Sequence, residues 1–317
     1  MKKKILVMGA LGQIGSELTP RLRSIYGEDN VIASDIRTPN YSRTNEGRFE
    51  IHDCMDIKKT ASIVKKYNIG LIYNLPALLS ATAEKYPQRA FEINLLGLYY
   101  TLEVAKEYNC AVFNPSTIGV FGSSTPKNNT PQDTIMRPST MYGVTKVSGE
   151  LLGDYYHSRF NVDVRGVRFP GIISNDTMPG GGTTDYAVEI FYKALKKKKY
   201  TSYLKAGTYL DMMYMPDAIK AAIDLMEADN ERLRHRNAFN IASMCFDVEE
   251  LAAEIRKHIP EFTLSYKIDP VRQEIADSWP DGLDDSEARS QWNWKPDYNL
   301  ESMTVDMLEK LKNKLWH

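Results

Sequence analysis

The chain predicts an α/β fold, a doubly wound parallel sheet with a small C-terminal lobe, on three observations. Short apolar runs alternate with amphipathic stretches through the first 170 residues, the pattern of parallel strands joined by right-handed helical crossovers. The first run, residues 3–8, leads directly into Gly9-Ala-Leu-Gly12-Gln-Ile-Gly15 and then a helical pattern through Leu18, Leu22 and Ile25. Further along, Tyr142 and Lys146 stand four residues apart, which on a helix places a phenol and an ammonium on one face.

Each element follows in order. Residues 3–8 read as a strand covered on both faces. Glycines at the next turn let the backbone approach a pyrophosphate seated on a helix N-terminus, and strand, turn and helix together open a Rossmann-type unit. A second strand, Val31–Asp35, ends in an acid 20 residues after Gly15. An acid there suits a ribose 2′-OH and repels a 2′-phosphate, which favours NAD over NADP. Arg37 is the counter-argument, because it could accept that phosphate; it also fits an ordinary loop arginine. Residues 49–53 form a third strand, 57–67 a helix and 71–74 a fourth strand. Residues 87–108 read as one long amphipathic helix carrying Asn94. Residues 111–114 form a fifth strand running into Pro115-Ser116-Thr117, 139–160 the helix of Tyr142 and Lys146, and 162–168 a sixth strand. Ligands of such sheets bind beyond the carboxyl ends of the strands, where the loops beginning at Gly9, Leu75, Pro115 and Phe169 open.

The Tyr142–Lys146 pair carries the chemistry. A free tyrosine titrates near ~10 and is a poor base at neutral pH, but a neighbouring ammonium favours the phenolate. An amphipathic helix with a surface lysine and a half-buried tyrosine is the plain alternative. The glycine-rich opening of the chain weighs against it.

Composition narrows the rest. The 317 residues suit one large or two modest domains, and 43% hydrophobic content supports a full core. A net charge of −1 gives no electrostatic reason for nucleic-acid binding. Lysines at 2–4 and 196–199 fit a strand flank and a helix end. No apolar stretch approaches the ~18 residues of a membrane helix, and no leader precedes the first strand. Cys54, Cys110 and Cys245 are widely spaced and the five histidines are scattered, indicating neither a disulfide framework nor a metal site. The expectation is a cytoplasmic, reduced, metal-free protein acting on a small molecule.

The second half is less regular. Gly180-Gly-Gly182-Thr183-Thr184 opens a helix over 185–195. Glycine turn, hydroxyls and helix N–H groups make a carboxylate-binding device, or an ordinary N-cap at Thr184. Residues 216–227 form a helix, 237–242 a strand extending the main sheet, 248–258 a helix, 262–268 a strand and 302–315 a final helix. Met212, Met213, Met215, Trp292 and Trp294 read as core. Residues 1–170 form the dinucleotide-binding domain, and 171–317 a mainly substrate-binding lobe interleaved with the end of the main sheet.

GALGQIG, Asp35, the STIGVFG of 116–122, the YGVTK of 142–146 and the RFPGIIS of 168–174 together resemble the extended short-chain dehydrogenase/reductase superfamily over nearly the whole chain. Within it, Leu75-Pro-Ala-Leu-Leu-Ser80, the stretches 179–187 and 209–216, and Ser278-Trp279-Pro-Asp-Gly-Leu-Asp-Asp285 are most similar to the short-chain L-threonine 3-dehydrogenases, relatives of UDP-galactose 4-epimerase. The resemblance implies a Thr117, Tyr142, Lys146 triad, with Thr117 preferred over Ser116. It implies pyrophosphate contacts at Gly9, Gly12 and Gly15, with Gln13 and Ile14 at the helix start. It implies ribose and adenine contacts at Asp35, Ile36, Asp53 and Cys54. Leu75, Ala77 and Phe169 join Tyr142 and Lys146 on the nicotinamide side, and Asn94 is a further cofactor contact. Substrate contacts fall to Ser80, Thr117, Tyr142, Gly182, Thr183 and Thr184, with Trp279 either closing the pocket or packed as core. The implied activity is NAD-dependent oxidation of L-threonine by a homodimer. Two alternatives stand: a nucleotide-sugar epimerase or dehydratase, against which residues 170–210 carry no Arg-rich diphosphate site, and a non-catalytic NAD-sensing regulator, against which stands the intact triad.

Overall fold

A computed structural model describes residues 4–39, 47–176 and 182–316. It begins with β1 (Lys4–Met8), α1 (Gly15–Tyr26), β2 (Val31–Asp35), β3 (Phe49–Ile51), α2 (Ile57–Tyr67) and β4 (Ile69–Asn74). Then come α3 (Ser80–Lys85), α4 (Pro87–Phe91), α5 (Gly97–Tyr108), β5 (Ala111–Phe113), β6 (Ser116–Thr117) and α6 (Met141–Phe160). The main sheet is parallel, in the order β3-β2-β1-β4-β5, closed by β7 (Val164–Arg165). Its direction of winding reverses between β1 and β4, so the loops after Met8 and Asn74 flank the switch-point crevice where ligands of such sheets bind. The apolar runs are continuous because both faces are covered. Leu6, Ile32, Leu102 and Val164 pack on one side, and Val7, Leu18, Phe113 and Met213 on the other.

Helix ends are written into the chain. Asp56 caps α2 by accepting the Lys59 N–H at 2.9 Å. Asn68, Asn109 and Asn161 end α2, α5 and α6 in the left-handed conformation, each turning the chain toward the next strand.

Two expected elements are divided. The helix over 87–108 contains a π turn at 92–96 between α4 and α5. Inside that wider turn Asn94 accepts the Leu78 N–H at 2.8 Å and donates to the Leu78 carbonyl at 3.0 Å, so the distortion props the loop after β4. The sixth strand breaks at Gly166 into β7 and β8 (Val167–Phe169). At the break, Gly166 accepts the Phe239 N–H at 3.0 Å. β8 then pairs with β6 on one side and β12 (Phe239–Asn240) on the other. The run at 237–242 thus forms a strand, but in a separate three-stranded sheet and not as the expected extension of the main one, because the chain leaves the main ladder at Gly166.

The remaining chain adds β9 (Gly171–Ile173), α7 (Tyr186–Lys197), β10 (Lys199–Ser202), β11 (Leu210–Tyr214) and α8 (Met215–Glu227) before β12. After it come β13 (Met244–Phe246), α9 (Val248–Arg256), β14 (Thr263–Tyr266), α10 (Pro270–Asp277), α11 (Ser286–Trp292) and α12 (Leu300–Trp316). β11 sits between β9 and β13, and β10 pairs with β14. The short α3, β9, β10, β13, α10 and α11 carry too few periods to be read from sequence. Met212, Met213 and Met215 are fully buried, and the Trp292 and Trp294 rings lie 5.5 Å apart in the core.

Candidate active site

Two abutting hollows occupy the carboxyl edge of the sheet. The outer one, a groove of about 550 Å³, runs from the turn after β1 past the ends of β2 and β3 to the loop after β4. That volume lies within the ~300–1,000 Å³ of cofactor sites. Gly9, Gly12, Gln13, Ile14, Gly15, Asp35, Ile36, Asp53, Cys54, Leu75 and Ala77 all line it. At Gly15 a Cβ would sit 2.3 Å from the Gly9 carbonyl oxygen, so only glycine lets α1 start this close to the turn. At Gly12 a Cβ would meet only that same carbonyl and otherwise point into open space. The α1 start carries no side-chain cap, which leaves first-turn N–H groups for a ligand anion. These residues fit a dinucleotide.

Asp35 is tied more tightly than the sequence suggests. It accepts the Leu11 N–H at 3.0 Å and the Arg37 N–H at 3.0 Å, and pairs with the Arg37 guanidinium at 3.0 and 3.3 Å. Burial opposes its charge, yet these partners hold its carboxyl below the usual range. Arg37 therefore lies against Asp35, and the Leu11 contact links the glycine turn to the acid.

The inner hollow, about 140 Å³, shares Gln13, Ile14, Leu75 and Ala77 with the groove. Thr117, Tyr142, Lys146 and Phe169 line it from the sheet side; Ser80, Gly182, Thr183, Thr184 and Trp279 line it from the other elements. Pro179, Gly180 and Gly181 fall outside the described residues. Asn94 lines neither hollow and acts from behind the wall, through Leu78. Trp279 both lines the cavity and belongs to the core of the C-terminal lobe.

Tyr142 is aimed by its surroundings. Thr140 caps α6 by accepting the Gly143 N–H at 3.1 Å. A Cβ at Gly143 would come within 2.2 Å of the Gly119 carbonyl oxygen, so glycine there lets the helix start seat on the turn after Thr117. Thr117 accepts the Gly119 N–H at 3.1 Å, and its hydroxyl is the group that favours ionisation of the Tyr142 phenol. Lys146 donates to the Pro115 carbonyl at 2.8 Å, with its Nζ 5.8 Å from the Tyr142 ring centroid.

The expectation that Lys146 lowers the tyrosine pKa is corrected here. Enclosure by protein pushes the Tyr142 phenol up to about 12, and the relief comes from the Thr117 hydroxyl. Burial likewise pushes Lys146 down to about 8, opposed by the Glu150 carboxylate. Both groups favour their neutral forms because the site excludes water, and the ammonium is turned toward Pro115 instead of the phenol oxygen.

Sequence reasoning missed Asp185. Among the described residues lining the inner hollow it is the one acid, and Lys146 the one base. Its Oδ2 accepts the Gly182 N–H at 2.8 Å. An acid in the first turn reads as a helix-dipole residue, which hid it. The Thr183 hydroxyl is buried without a hydrogen-bond partner, an unmet need that a polar ligand would satisfy.

Known proteins place this architecture. The model of the NAD dependent epimerase/dehydratase family matches residues 5–242. An uncharacterized epimerase/dehydratase of Staphylococcus haemolyticus is 52% identical over 313 residues, 98% of each chain. The solved L-threonine dehydrogenase of Clostridium difficile is 58% identical, covers 98% of each chain and superposes with a TM-score of 0.97. A monomeric L-threonine 3-dehydrogenase of metagenomic origin is 44% identical over 98% of this chain and 99% of its own, with a TM-score of 0.94. No helix among the described residues is long and apolar enough to cross a membrane.

Proposed function

The chain belongs to the NAD dependent epimerase/dehydratase family, and from that premise we propose that it oxidises the 3-hydroxyl of L-threonine to 2-amino-3-ketobutyrate with NAD. The observation that carries this reading is the inner hollow. At about 140 Å³ it lies well below the ~300 Å³ at which sites for larger ligands begin, which suits an amino acid and not a nucleotide sugar. It also holds one acid, the Thr183 and Thr184 hydroxyls, and Tyr142 with Thr117 within a single enclosure. The solved relatives named above are L-threonine dehydrogenases, which supports the same substrate.

Each end of the substrate has its receptor. Thr183, Thr184 and the start of α7 receive the carboxylate. Asp185 receives the ammonium, the partner that sequence alone left unnamed. Ser80 forms the facing wall. The 3-hydroxyl then meets Tyr142 and Thr117, and Tyr142 takes the hydroxyl proton as general base. As the O–H proton leaves, the C3–H bond gives up its electron pair as hydride and the C–O bond becomes a ketone. Bound NAD supplies the acceptor for that hydride. Residues 9–15 hold its pyrophosphate, Asp35 with Ile36 its adenosine ribose, Asp53 and Cys54 its adenine. Leu75, Ala77 and Phe169 border its nicotinamide, and Lys146 its second ribose. The Asp35 charge favours NAD over NADP.

Two copies associate, on this reading, through α5 and α6, where Tyr99, Val144, Leu151 and Tyr155 leave apolar surface exposed. Light scattering at assay concentration tests that association against a monomer like the metagenomic relative. The activity is tested by NADH absorbance with NAD and L-threonine, beside L-serine, L-allo-threonine and UDP-galactose. Fast NADH formation with L-threonine is the expected result. Silence with every amino acid, or turnover of the nucleotide sugar alone, would remove the assignment.

A further inference from the structure

One helical turn beyond Lys146, on the same inward face of α6, lies a buried carboxylate. Glu150 is 3% exposed. Its Oε1 accepts the Ser116 hydroxyl and the Arg168 Nε, the latter at 3.0 Å, and its Oε2 accepts Arg168 Nη2 at 2.9 Å. Arg168 is equally buried, donates to the Gln132 carbonyl at 2.8 Å and to Asn240 Oδ1 at 3.0 Å, and stands 5.2 Å over the Phe121 ring. Ser116 directly precedes Thr117, and Arg168 directly precedes Phe169. One carboxylate thus clasps both strands whose next residues line the inner hollow, from a position behind Lys146.

We infer that Glu150 is a positioning residue for the Tyr142–Lys146 pair, holding the shared proton on Lys146 so that Tyr142 is the member left as a base. This rests on reading that pair as the proton-moving groups. When the pair has lost one proton, the proton that remains sits on either the phenol or the amine. The two arrangements carry the same net charge, so pH does not choose between them. Only the phenolate–ammonium form accepts a proton from substrate. Burial favours the neutral form, as the opposite displacements of Tyr142 and Lys146 record. A negative charge one helical turn from the ammonium works against that preference. Glu150 supplies it, and its bidentate bond to Arg168 fixes where it sits.

The surrounding charges do not duplicate it. Arg168 faces Glu150 from β8, and Asp154 stands one turn further along α6 with its carboxyl raised by burial. On the helices packed outside, Arg89 pairs with Glu92 and Lys106 with Glu103. Glu84 accepts the Met141 N–H at the start of α6.

The test is Glu150→Gln, read in two ways. One is the pH dependence of kcat for NADH formation from L-threonine. The other, free of turnover, is the tyrosinate absorbance that Tyr142→Phe removes. Loss of a neighbouring negative charge makes the first proton of the pair easier to lose. The apparent pKa of the pair should fall by about one unit from the parent's, a tenfold change in the equilibrium. The plateau kcat should drop about tenfold and the tyrosinate signal at that stage should shrink, with NAD affinity unchanged. A lower kcat with an unmoved pKa and an unmoved tyrosinate titration would mean that Glu150 only packs, and would overturn the proposal. If Glu150→Gln does not fold, the double variant Glu150→Gln with Arg168→Gln removes both buried charges together. Because the opposite charge of Arg168 leaves with it, the downward shift should be smaller than in the single variant but of the same sign, and an unmoved titration there also overturns the proposal. A parent protein inactive on L-threonine would remove the substrate reading, while the tyrosinate titration would still judge Glu150.

Discussion

In the outer groove, Asp35 meets its partners at the rim of the sheet, where Arg37 is 60% exposed. At the inner hollow, Lys146 and, behind it, Glu150 are nearly sealed from water, and Tyr142 lines the cavity half-buried. The groove is built mostly from backbone: a glycine turn, an uncapped helix start and main-chain donors to Asp35. Contacts of that kind survive side-chain changes, and solvent damps the charges among them. The hollow has no such buffer, since charge in a water-excluded site is worth far more. Substitutions inside should therefore cost orders of magnitude, and those in the groove should change preference more than rate. Tyr142→Phe is the sharpest test. It removes the proton acceptor and leaves the groove intact, so kcat should fall by roughly 10²–10⁴-fold, the usual worth of a placed general base. Fluorescence titration with NADH should meanwhile give an unchanged Kd. Near-parental turnover would end the distinction drawn here.

Asp185→Asn probes the same enclosure at its other end. The variant keeps the shape and the bond to the Gly182 N–H but loses the charge offered to the ammonium. A charge-assisted hydrogen bond is worth about 1.5–3 kcal/mol, so the KM for L-threonine should rise about 10–100-fold while NAD affinity holds. An unchanged KM would transfer the ammonium to main-chain carbonyls.

The same contrast explains what could be read from the chain alone. The groove was legible almost residue by residue, because its parts follow consecutive strands and a parallel strand announces itself as an apolar run. Gly9 to Gly15, Asp35, Asp53, Cys54, Leu75 and Ala77 all come to one surface. Ser80, Thr117, Thr183, Thr184 and Trp279 also meet in one hollow, although nearly 200 residues separate the first from the last; there the resemblance did what periodicity could not. Three things stayed hidden for physical reasons. Asp185 looks like any first-turn acid until the cavity is closed around it. The π turn at Asn94 answers to the carbonyl and amide of Leu78, 16 residues earlier in the preceding loop. The pKa values of Tyr142 and Lys146 depend on exclusion of water, which spacing along a helix does not encode.

Asp35→Ala tests the groove on its own terms. Removing the acid takes away the ribose acceptor and also releases Arg37, whose guanidinium it holds. The ratio of kcat/KM for NAD over NADP should fall about tenfold or more, as a freed arginine can accept a 2′-phosphate. The kcat with saturating NAD should stay within about threefold, since a contact made equally in ground and transition state changes affinity and not kcat. An unchanged ratio would remove Asp35 from cofactor choice, and a collapsed kcat would show that groove and hollow are less separable than their construction implies.

The smallest effect on turnover should come from a buried charge that lies outside both hollows. Asp211 on β11 is 3% exposed and accepts the Leu283 N–H at 2.6 Å. Through that contact it secures the segment after Trp279, which Lys127 and Thr130 also hold by main-chain bonds of 2.9 Å. Burial, with Asp285 nearby, raises its carboxyl to about 7. An unfolded aspartate titrates near ~3.9. A carboxyl whose pKa is higher in the folded state costs nothing while it is protonated in both states. The cost begins above about pH 4, grows until about pH 7 and is constant beyond it. Asp211→Asn keeps an oxygen for Leu283 and removes the charge. Its Tm should therefore exceed the parent's at pH 8, by at most about 4 kcal/mol in stability, and the gap should narrow steadily toward pH 4. Turnover at pH 8 should change less than about twofold, because Asp211 touches neither hollow. A Tm difference independent of pH would mean that packing and not buried charge sets the strain at this position, and the cost of excluding water would then be particular to the inner hollow.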